Sequence, residues 1–173
     1  MVVWLIGISG AGKTTLGRKL KEYYDQNNKR SFILDGDIVR EFYNNDLGYS
    51  KKERIANIKR IMLSAYVLEQ NNIIPIVCNI SPFESLREFA RIKFSDYNEI
   101  YLEKDISVAR KNDVKNVYKS NLEKTSIVGI DMEFERPLKS NLIIPVDNED
   151  EEESFLKLVN YLENKLRWEI NMN

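Results

Sequence analysis

Residues 2–16 read VVWLIGISGAGKTTL, and this stretch decides the fold. Its first part, Val2 to Ile6, is a short apolar run rich in β-branched residues, which predicts a buried strand. The pattern G-x-x-x-x-G-K-[ST] follows directly in residues 7–14, and a helix is predicted from about Thr14 to Asn27. A strand, a glycine-rich loop and a helix in this order form the context in which the pattern binds phosphate groups. The sequence therefore predicts a phosphate-binding loop, with ATP as the expected ligand.

The predicted loop offers several kinds of contact to phosphate. Its glycines let backbone N–H groups point inward, and the N-terminus of the following helix adds positive partial charge. Lys13 is expected to reach the β- and γ-phosphates, and the Thr14 hydroxyl is expected to bind Mg²⁺. ATP and Mg²⁺ are thus the expected cofactors. The predicted ATP contacts are Gly7, Ser9, Gly10, Ala11, Gly12, Lys13, Thr14 and Thr15.

The rest of the chain alternates between further strands and helices. Strands are predicted over residues 31–34, 73–78, 99–102 and 142–146, and helices over residues 51–70, 83–93 and 151–167. This alternation predicts a single α/β domain over residues 1–173, a P-loop NTPase fold whose central parallel sheet has helices on both faces. Residues 112–140 interrupt the alternation, and a loop of this length in a compact domain is usually functional. We expect a mobile lid there, with an ordinary surface loop as the alternative.

Composition excludes several kinds of chemistry. The chain has no histidine, which rules out a histidine base and a histidine-ligated metal. Cys78 is the only cysteine and lies in an apolar run, so an intramolecular disulfide is impossible and a core thiol is expected. The net charge of −1 argues against nonspecific nucleic-acid binding, which needs clustered positive charge. Because neither a signal peptide nor a membrane-spanning apolar run is visible, a cytoplasmic protein is expected.

Two carboxylates after the second predicted strand indicate an acceptor site. Asp35 and Asp37 stand at the carboxyl end of this strand, and such strand ends line the ligand crevice of a parallel sheet. In phosphoryl transfer a carboxylate mainly positions the attacking hydroxyl. We therefore expect both carboxylates to be catalytic and to contact the acceptor, and Asp35 to hold Mg²⁺ as well.

Basic and amide side chains farther along the chain extend this predicted acceptor site. Arg54 and Asn57 are three residues apart in a predicted helix, so they share one helix face. Together with Arg40 they indicate a pocket for an anion, because arginine forms paired hydrogen bonds with phosphate or sulfate. Lys115 and Lys119 lie in the predicted lid, where they are expected to neutralise the transferring phosphoryl group when the lid closes.

Two absences from the sequence argue against a GTPase or a motor protein. No Asn-Lys-x-Asp guanine-binding motif follows a predicted strand. The third predicted strand runs into Asn79 rather than the aspartate that P-loop proteins usually carry there, so Asp35 and Asp37 are expected to supply that role. These features favour a small-molecule kinase.

Taken together, these residues resemble the adenylylsulfate (APS) kinase family over nearly the whole chain. The segments that carry the resemblance are GISGAGKTTL (7–16), LDGDIVR (34–40), DLGYS (46–50), ERIANIKR (53–60), ISPF (80–83), DVKNVYK (113–119) and VGID (128–131). The resemblance implies a kinase that uses MgATP to phosphorylate the 3′-hydroxyl of a nucleotide with a sulfated 5′-phosphate, and it implies a homodimer.

The resemblance also implies particular roles for residues of the acceptor half. The residues that would contact or activate the acceptor are Asp35, Asp37, Arg40, Arg54, Asn57, Ile80, Ser81 and Lys115. Bacterial members are often assigned a phosphoserine at the position of Ser81. Ser81 and Lys115 therefore join Lys13, Asp35 and Asp37 as predicted catalytic residues.

Departures from the family are concentrated where the acceptor base would bind. Ile38 replaces an asparagine of the family, and Glu41 stands where some members have an aromatic ring. Ile127 and Val128 replace the second aromatic position, and we expect Ile127 to contact the acceptor. Because stacking on an aromatic ring contributes about 1–3 kcal/mol per base, its loss predicts an acceptor base other than adenine.

A branch that resembles APS kinase fits this pattern. It acts in bacterial capsule decoration and phosphorylates the 3′-hydroxyl of cytidine 5′-diphosphoramidate, whose pyrimidine base is smaller. The sequence favours this acceptor, with a true adenylylsulfate kinase of sulfate assimilation as the alternative. A non-catalytic nucleotide-binding regulator and a sugar or shikimate-type kinase are further alternatives. The regulator is disfavoured because the predicted catalytic and metal-binding residues are intact, namely Lys13, Thr14, Asp35 and Asp37. The sugar-type kinase is disfavoured by the presence of segments 34–40, 46–50 and 80–83.

Overall fold

The computed structural model describes residues 1–111 and 126–171 of the chain. In chain order, the elements are β1 Val2–Ile6, α1 Lys13–Gln26, β2 Ser31–Asp35, α2 Gly36–Phe42, α3 Lys51–Gln70, β3 Ile74–Cys78, α4 Glu84–Lys93, β4 Tyr97–Glu103, α5 Ile106–Lys111, β5 Leu142–Pro145 and α6 Glu151–Asn171. Over these two stretches, no helix has the length and apolar character needed to cross a membrane.

All five strands form one parallel sheet, in the order β2-β3-β1-β4-β5. The central strand β1 lies between β3 and β4. Cys78, at the end of β3, is in register with Leu5 of β1 on one side and with Asp35 of β2 on the other. Three segments therefore leave the sheet side by side at the carboxyl ends of these strands: the glycine-rich loop, the Asp35–Asp37 triplet and the residues after β3.

Side chains of β1 alternate between two hydrophobic cores, as expected for a strand buried on both faces. Val3 and Leu5 pack in the core that contains residues of α1 and α6, such as Leu158. Trp4 packs in the other core with residues of α3 and α4, such as Ile61. The predicted α/β architecture, with a parallel sheet and helices on both faces, is confirmed.

The sequence prediction lacks the two short helices α2 and α5. The first of these begins at Gly36, inside the triplet that follows β2. Asp35 is extended and accepts a hydrogen bond from the Asp37 backbone N–H at 2.9 Å, which makes it the N-cap of α2. The carboxylate of Asp37 lies in the first turn of α2, where the helix dipole favours negative charge.

Gly17 of α1 packs directly against the thiol of Cys78. A β-carbon on Gly17 would lie 2.5 Å from Cys78 Sγ, which is a severe overlap. Such overpacking lowers the stability of the protein by about 1–3 kcal/mol. Alanine has the higher helix propensity and offsets roughly 1 kcal/mol of this loss. We expect Gly17→Ala to lower the free energy of unfolding by about 1 kcal/mol in urea titrations. In a Cys78→Ala background the overlap is gone, and the same substitution is expected to be neutral or stabilising; an equal loss there would contradict this explanation.

Candidate active site

The glycine-rich loop connects β1 to α1, as predicted. Gly10 and Gly12 have φ angles of 76° and 89°, which residues with a side chain rarely adopt, so these turns require glycine. Lys13 is the first residue of α1, and its Nζ donates hydrogen bonds to the carbonyl oxygens of Gly7, at 2.9 Å, and Ile8, at 2.7 Å. The ammonium group is therefore held against the loop, at the N-terminus of the helix.

Thr14 and Asp35 bring two oxygen ligands together beside this loop. Thr14 Oγ1 donates a hydrogen bond to Asp35 Oδ2 at 2.7 Å, and Asp35 is buried. A hydroxyl and a carboxylate at this distance suit Mg²⁺, which prefers oxygen ligands and takes further ones from phosphates and water. Within residues 1–111 and 126–171, no group of three or more cysteine, aspartate or glutamate side chains is arranged to hold a metal by itself. The pair thus fits a metal that arrives with a nucleotide.

A groove runs from the loop towards the segment between β5 and α6, and the sequence prediction lacks this part. Its lining includes Lys104 after β4, Val146 after β5 and Glu149 before α6. The predicted ATP contacts that share the groove are Gly10, Ala11, Gly12 and Thr15. No pattern in the sequence marks these loop residues, because only the parallel sheet brings β4 and β5 beside the loop. They extend the groove beyond the glycine-rich loop.

On the other side of Asp35, the predicted anion-binding residues lie near Asp37. The pKa of the Arg54 guanidinium is lowered, chiefly by burial and further by Arg40, while Tyr49 and Asp37 act in the opposite direction. Two guanidinium groups and a carboxylate therefore interact electrostatically across this site. Arg40 and Arg54, two of the three residues predicted for the anion pocket, thus lie within electrostatic range of each other.

Both arginines are tied to the backbone of neighbouring loops. Arg40 is buried, and its Nη1 donates to the carbonyl oxygens of Leu47, at 2.9 Å, and Gly48, at 2.8 Å. Arg54 donates from Nε to the Tyr49 carbonyl oxygen at 2.9 Å and from Nη2 to the Ser126 carbonyl oxygen at 2.6 Å. These bonds fix the directions of the two guanidinium planes, while each plane keeps further N–H groups for an anion.

The segment 46–50, which joins α2 to α3, is held at several points. Arg60 forms a two-point ion pair with Asp46, with both distances at 2.7 Å. Ser50 and Glu53 form a capping box at the start of α3, and Glu53 also accepts a hydrogen bond from the Gly48 N–H at 2.9 Å. With the Arg40 bonds, these contacts define the shape of segment 46–50.

Tyr49, within segment 46–50, is a candidate site residue that sequence reasoning missed. Its ring lies 4.6 Å from the Arg40 guanidinium carbon and 5.1 Å from that of Arg54, which are cation–π distances. The side chain is 37% exposed, so part of it still faces solvent. The signal for it in the sequence is an aromatic residue within the DLGYS segment (46–50). An aromatic ring therefore lies against both arginines of the predicted acceptor site.

Asn57 is buried on α3 and contacts Gly36, the residue between Asp35 and Asp37. Its Nδ2 donates to the Gly36 carbonyl oxygen at 3.4 Å, and its Oδ1 has no hydrogen-bond partner among the described residues. A buried amide oxygen without a partner is costly, so a donor from a ligand or water is expected there. This orphaned oxygen supports the predicted role of Asn57 in the acceptor pocket.

Ile127 lies next to Ser126, the partner of Arg54, on a tight turn. Its N–H donates to Asp131 Oδ2 at 2.8 Å, and its carbonyl oxygen accepts from the Asp131 N–H at 2.8 Å. The side chain is half-buried. Lys115 and Lys119, the predicted lid lysines, lie outside the described residues, so their roles stay predictions.

The second half of the predicted lid, residues 126–140, is attached to the body of the domain through Glu135. Its N–H donates to the Pro82 carbonyl oxygen at 3.0 Å, and its carboxylate accepts from the Glu84 N–H at 2.5 Å. Its carbonyl oxygen accepts from Arg87 at 2.6 Å. This part therefore contacts the start of α4. The lid over residues 112–140 stays a prediction, and its first part, residues 112–125, lies outside the described residues.

Ser81 follows β3 next to the half-buried Ile80, and its contacts favour a structural role over the predicted catalytic one. The residue is 2% exposed. Its Oγ accepts a hydrogen bond from Trp4 Nε1 at 2.8 Å and donates to Asn79 Oδ1 at 3.0 Å, while its carbonyl oxygen accepts from Arg87 at 2.7 Å. A phosphoryl group on this hydroxyl would displace both Oγ contacts inside a packed region.

Cys78 is the buried thiol that the sequence predicts. Burial raises its pKa to about 12, so it is protonated at neutral pH and is not a nucleophile.

Comparison with known proteins relates this geometry to a family. A family model described as adenylylsulphate kinase matches residues 1–145. The adenylyl-sulfate kinase of Halothermothrix orenii is 36% identical over 167 residues, which cover 95% of this chain and 90% of that protein. The adenylyl-sulfate kinase of Pseudomonas aeruginosa is 34% identical, with 94% of this chain and 85% of that protein covered.

Solved structures resemble this protein in fold, and they include an APS kinase. The APS kinase of Mycobacterium tuberculosis in complex with AMPPNP and APS superposes with a TM-score of 0.86 at 27% identity, covering 94% of this chain and 96% of that one. The shikimate kinase of Aquifex aeolicus shares the fold alone, with a TM-score of 0.58 at 16% identity, 96% of this chain and 98% of that chain being covered. The predicted P-loop kinase fold is thereby confirmed.

Proposed function

Since the chain belongs to the adenylylsulphate kinase family, we propose that it transfers the γ-phosphoryl group of ATP to the 3′-hydroxyl of adenylylsulfate. Family membership itself makes it an ATP- and Mg²⁺-dependent phosphotransferase whose acceptor is a hydroxyl of a small nucleotide. The observation that carries the proposal is the position of Asp35. One of its oxygens is 2.7 Å from Thr14 Oγ1, and the other is 2.9 Å from the Asp37 N–H, so one side chain joins the two halves of the site.

On the donor side, Lys13 and the N–H groups at the start of α1 bind the phosphates and offset their charge. Thr14 and Asp35 would hold Mg²⁺, which when bound neutralises charge on the β- and γ-phosphates. Because these groups are fixed before the reaction, they stabilise developing charge without reorganising.

On the acceptor side, Asp37 orients the attacking 3′-hydroxyl and receives its proton. The new O–P bond forms as the bond between the γ-phosphorus and the β,γ-bridging oxygen of ATP breaks, and ADP leaves. Arg40 and Arg54 bind the anionic end of the acceptor, and Asn57 offers its unpaired Oδ1 to an acceptor N–H or O–H group. Tyr49 supplies one face for the acceptor base, with Ile127 as an apolar surface nearby. Lys115 stays a predicted contact to the transferring group.

Cytidine 5′-diphosphoramidate, the acceptor that the sequence favours, is the second candidate. The specific observation behind it is Ile127, which provides an apolar contact where the family's aromatic ring is expected. Two findings weaken it relative to adenylylsulfate. The relatives reported above are named adenylyl-sulfate kinases, and Tyr49 keeps an aromatic ring in the acceptor half. A role in capsule decoration depends on this second candidate.

Turnover of the two acceptors by the same preparation tests the proposal. ADP release is followed with MgATP and either nucleotide, and the 3′-phosphorylated product is identified by mass spectrometry. We expect adenylylsulfate to have the higher kcat/KM, by about tenfold or more for one stacking contact. A higher kcat/KM for cytidine 5′-diphosphoramidate would reverse the order of the two candidates. ATP binding without turnover of any acceptor would favour the non-catalytic regulator.

Replacement of Ser81 distinguishes a structural serine from a phosphorylated intermediate. Ser81→Ala removes the two hydrogen bonds of the hydroxyl, to Trp4 Nε1 and Asn79 Oδ1, and we expect it to lower the free energy of unfolding by about 1–3 kcal/mol. We expect kcat to fall less than about tenfold, because direct in-line transfer does not use this hydroxyl. Urea unfolding and steady-state rates measure the two effects. A fall in kcat of about a thousandfold in a folded variant would support the phosphoserine instead.

The homodimer and the cytoplasmic location stay predictions. Size-exclusion chromatography with light scattering would give the mass in solution, to be compared with 20.3 kDa for one chain.

A further inference from the structure

Asn79, the residue after β3, lies between the phosphate-binding loop and the acceptor site. Its backbone N–H donates to the Leu5 carbonyl oxygen at 3.2 Å, and its side chain is half-buried. Its Oδ1 accepts hydrogen bonds from both the N–H and the hydroxyl of Ser81, at 2.9 and 3.0 Å. A backbone N–H can only donate, so the amide oxygen faces Ser81 and Nδ2 faces the other way.

The amide nitrogen of Asn79 faces Gly36, the residue between the two acceptor carboxylates. A β-carbon on Gly36 would lie 2.3 Å from Asn79 Nδ2, which shows how closely the two residues pack. One side chain thus contacts Ser81 through its oxygen and the Asp35–Asp37 triplet through its nitrogen. The sequence singles out Asn79 only as a replacement for a metal-binding aspartate, and this geometry gives it a different role.

The conformation of Ser81 shows why such a contact is needed. Its φ angle is 48°, in the left-handed region that residues with a β-carbon rarely adopt. A strained backbone persists only where the surroundings hold it. Of the contacts to Ser81, those from Asn79 Oδ1 bind both its N–H and its hydroxyl, so Asn79 is well placed to keep this conformation.

We propose that Asn79 is a positioning residue that fixes the Ile80–Ser81 turn at a set distance from Asp35 and Asp37. It acts through Ser81 and Gly36 and does not itself touch the reacting atoms. Ile80 of this turn is a predicted acceptor contact, so displacement of the turn is expected to weaken acceptor binding and to leave ATP binding unchanged. This inference rests on the proposed function, because its main readout is turnover of the acceptor.

A double-mutant cycle with Ser81→Gly tests the proposal. Glycine adopts positive φ without strain, so it no longer needs the hold of Asn79. Asn79→Ala in the wild-type background is expected to raise KM for the acceptor about tenfold, corresponding to loss of hydrogen bonds to a strained turn, with KM for ATP within about twofold. In the Ser81→Gly background the same substitution is expected to change KM for the acceptor by less than about threefold. Asn27→Ala, at an exposed position after α1, is the matched control.

Two results would overturn the proposal. One is an equal rise in KM for the acceptor in both backgrounds; the other is no rise in either, with the wild type active.

Fluorescence gives a readout that does not depend on turnover, because Trp4 Nε1 donates to Ser81 Oγ. In a Trp168→Phe background Trp4 is the only tryptophan, and Asn79→Ala is expected to shift its emission. If the wild-type protein phosphorylates neither acceptor, the proposed function fails. The role of Asn79 is then tested by fluorescence alone, and an unchanged Trp4 emission in the Asn79→Ala variant would overturn it.

Discussion

Replacing Lys13 with alanine is expected to lower kcat about a thousandfold or more, since its ammonium group is the positive side chain held at the loop. The group lies at the N-terminus of α1, where it can follow charge that develops on the γ-phosphate. Its removal takes away an interaction that is strongest in the transition state, so kcat falls more than ATP affinity does. Steady-state rates with MgATP and adenylylsulfate measure the effect.

Lys21→Ala is the matched control for this variant. Lys21 lies on the same helix, forms an ion pair with Asp25 at 2.6 Å and is not part of the site. We expect it to retain the wild-type rate. A Lys13→Ala protein that is folded and keeps more than about a tenth of the wild-type kcat would contradict the assigned role, because a tenfold loss corresponds to only about 1.4 kcal/mol.

Asp37→Asn is expected to lower kcat by about a hundredfold to ten-thousandfold, the range for loss of a group that accepts a proton in the transition state. The substitution removes the charge and keeps the size of the side chain. It also keeps the Asp37 backbone N–H that bonds to Asp35, so α2 retains its cap. KM for ATP is expected to change little, because Asp37 is not one of the donor-loop contacts.

The control for Asp37→Asn is Asp25→Asn, at an exposed position near the end of α1. It is expected to leave both kcat and KM unchanged. Equal rates for Asp37→Asn and the wild type would show that the hydroxyl is oriented by another group, and the acceptor half of the mechanism would then have to be reassigned.

The sequence predicts the sheet and the long helices well because their signals are local. Helix α3 is found at its predicted bounds, Lys51–Gln70, since apolar side chains recur at helical spacing and a capping box begins it. Helix α2 is missed for a physical reason. Gly36 and the aspartates beside it favour turns in general, and only the folded backbone shows that Asp35 caps a helix.

The proposed donor residues are easier to recognise in the sequence than the proposed acceptor residues, for a related reason. Its residues lie in one continuous loop, so spacing in the sequence corresponds to spacing in the structure. The acceptor half draws Arg54, Tyr49 and Ile127 from separate elements, and the bond from Arg54 to the Ser126 carbonyl oxygen joins positions 72 residues apart. The sequence does not predict the role of Tyr49, because nothing in its local sequence indicates that two guanidinium groups pack against its ring.

The shape of segment 46–50 has a consequence for the proposed acceptor complex. This segment obtains its shape from contacts within the folded protein, without a ligand. These contacts are the ion pair to Asp46, the capping box at Ser50 and the Arg40 hydrogen bonds to Leu47 and Gly48. A loop that orders only on contact with its ligand gives up conformational entropy at that moment, and its affinity falls accordingly. Here that entropy is given up during folding. The ring of Tyr49 is thus preorganised, and mutations that loosen the segment should weaken the acceptor complex even at positions that never contact the ligand.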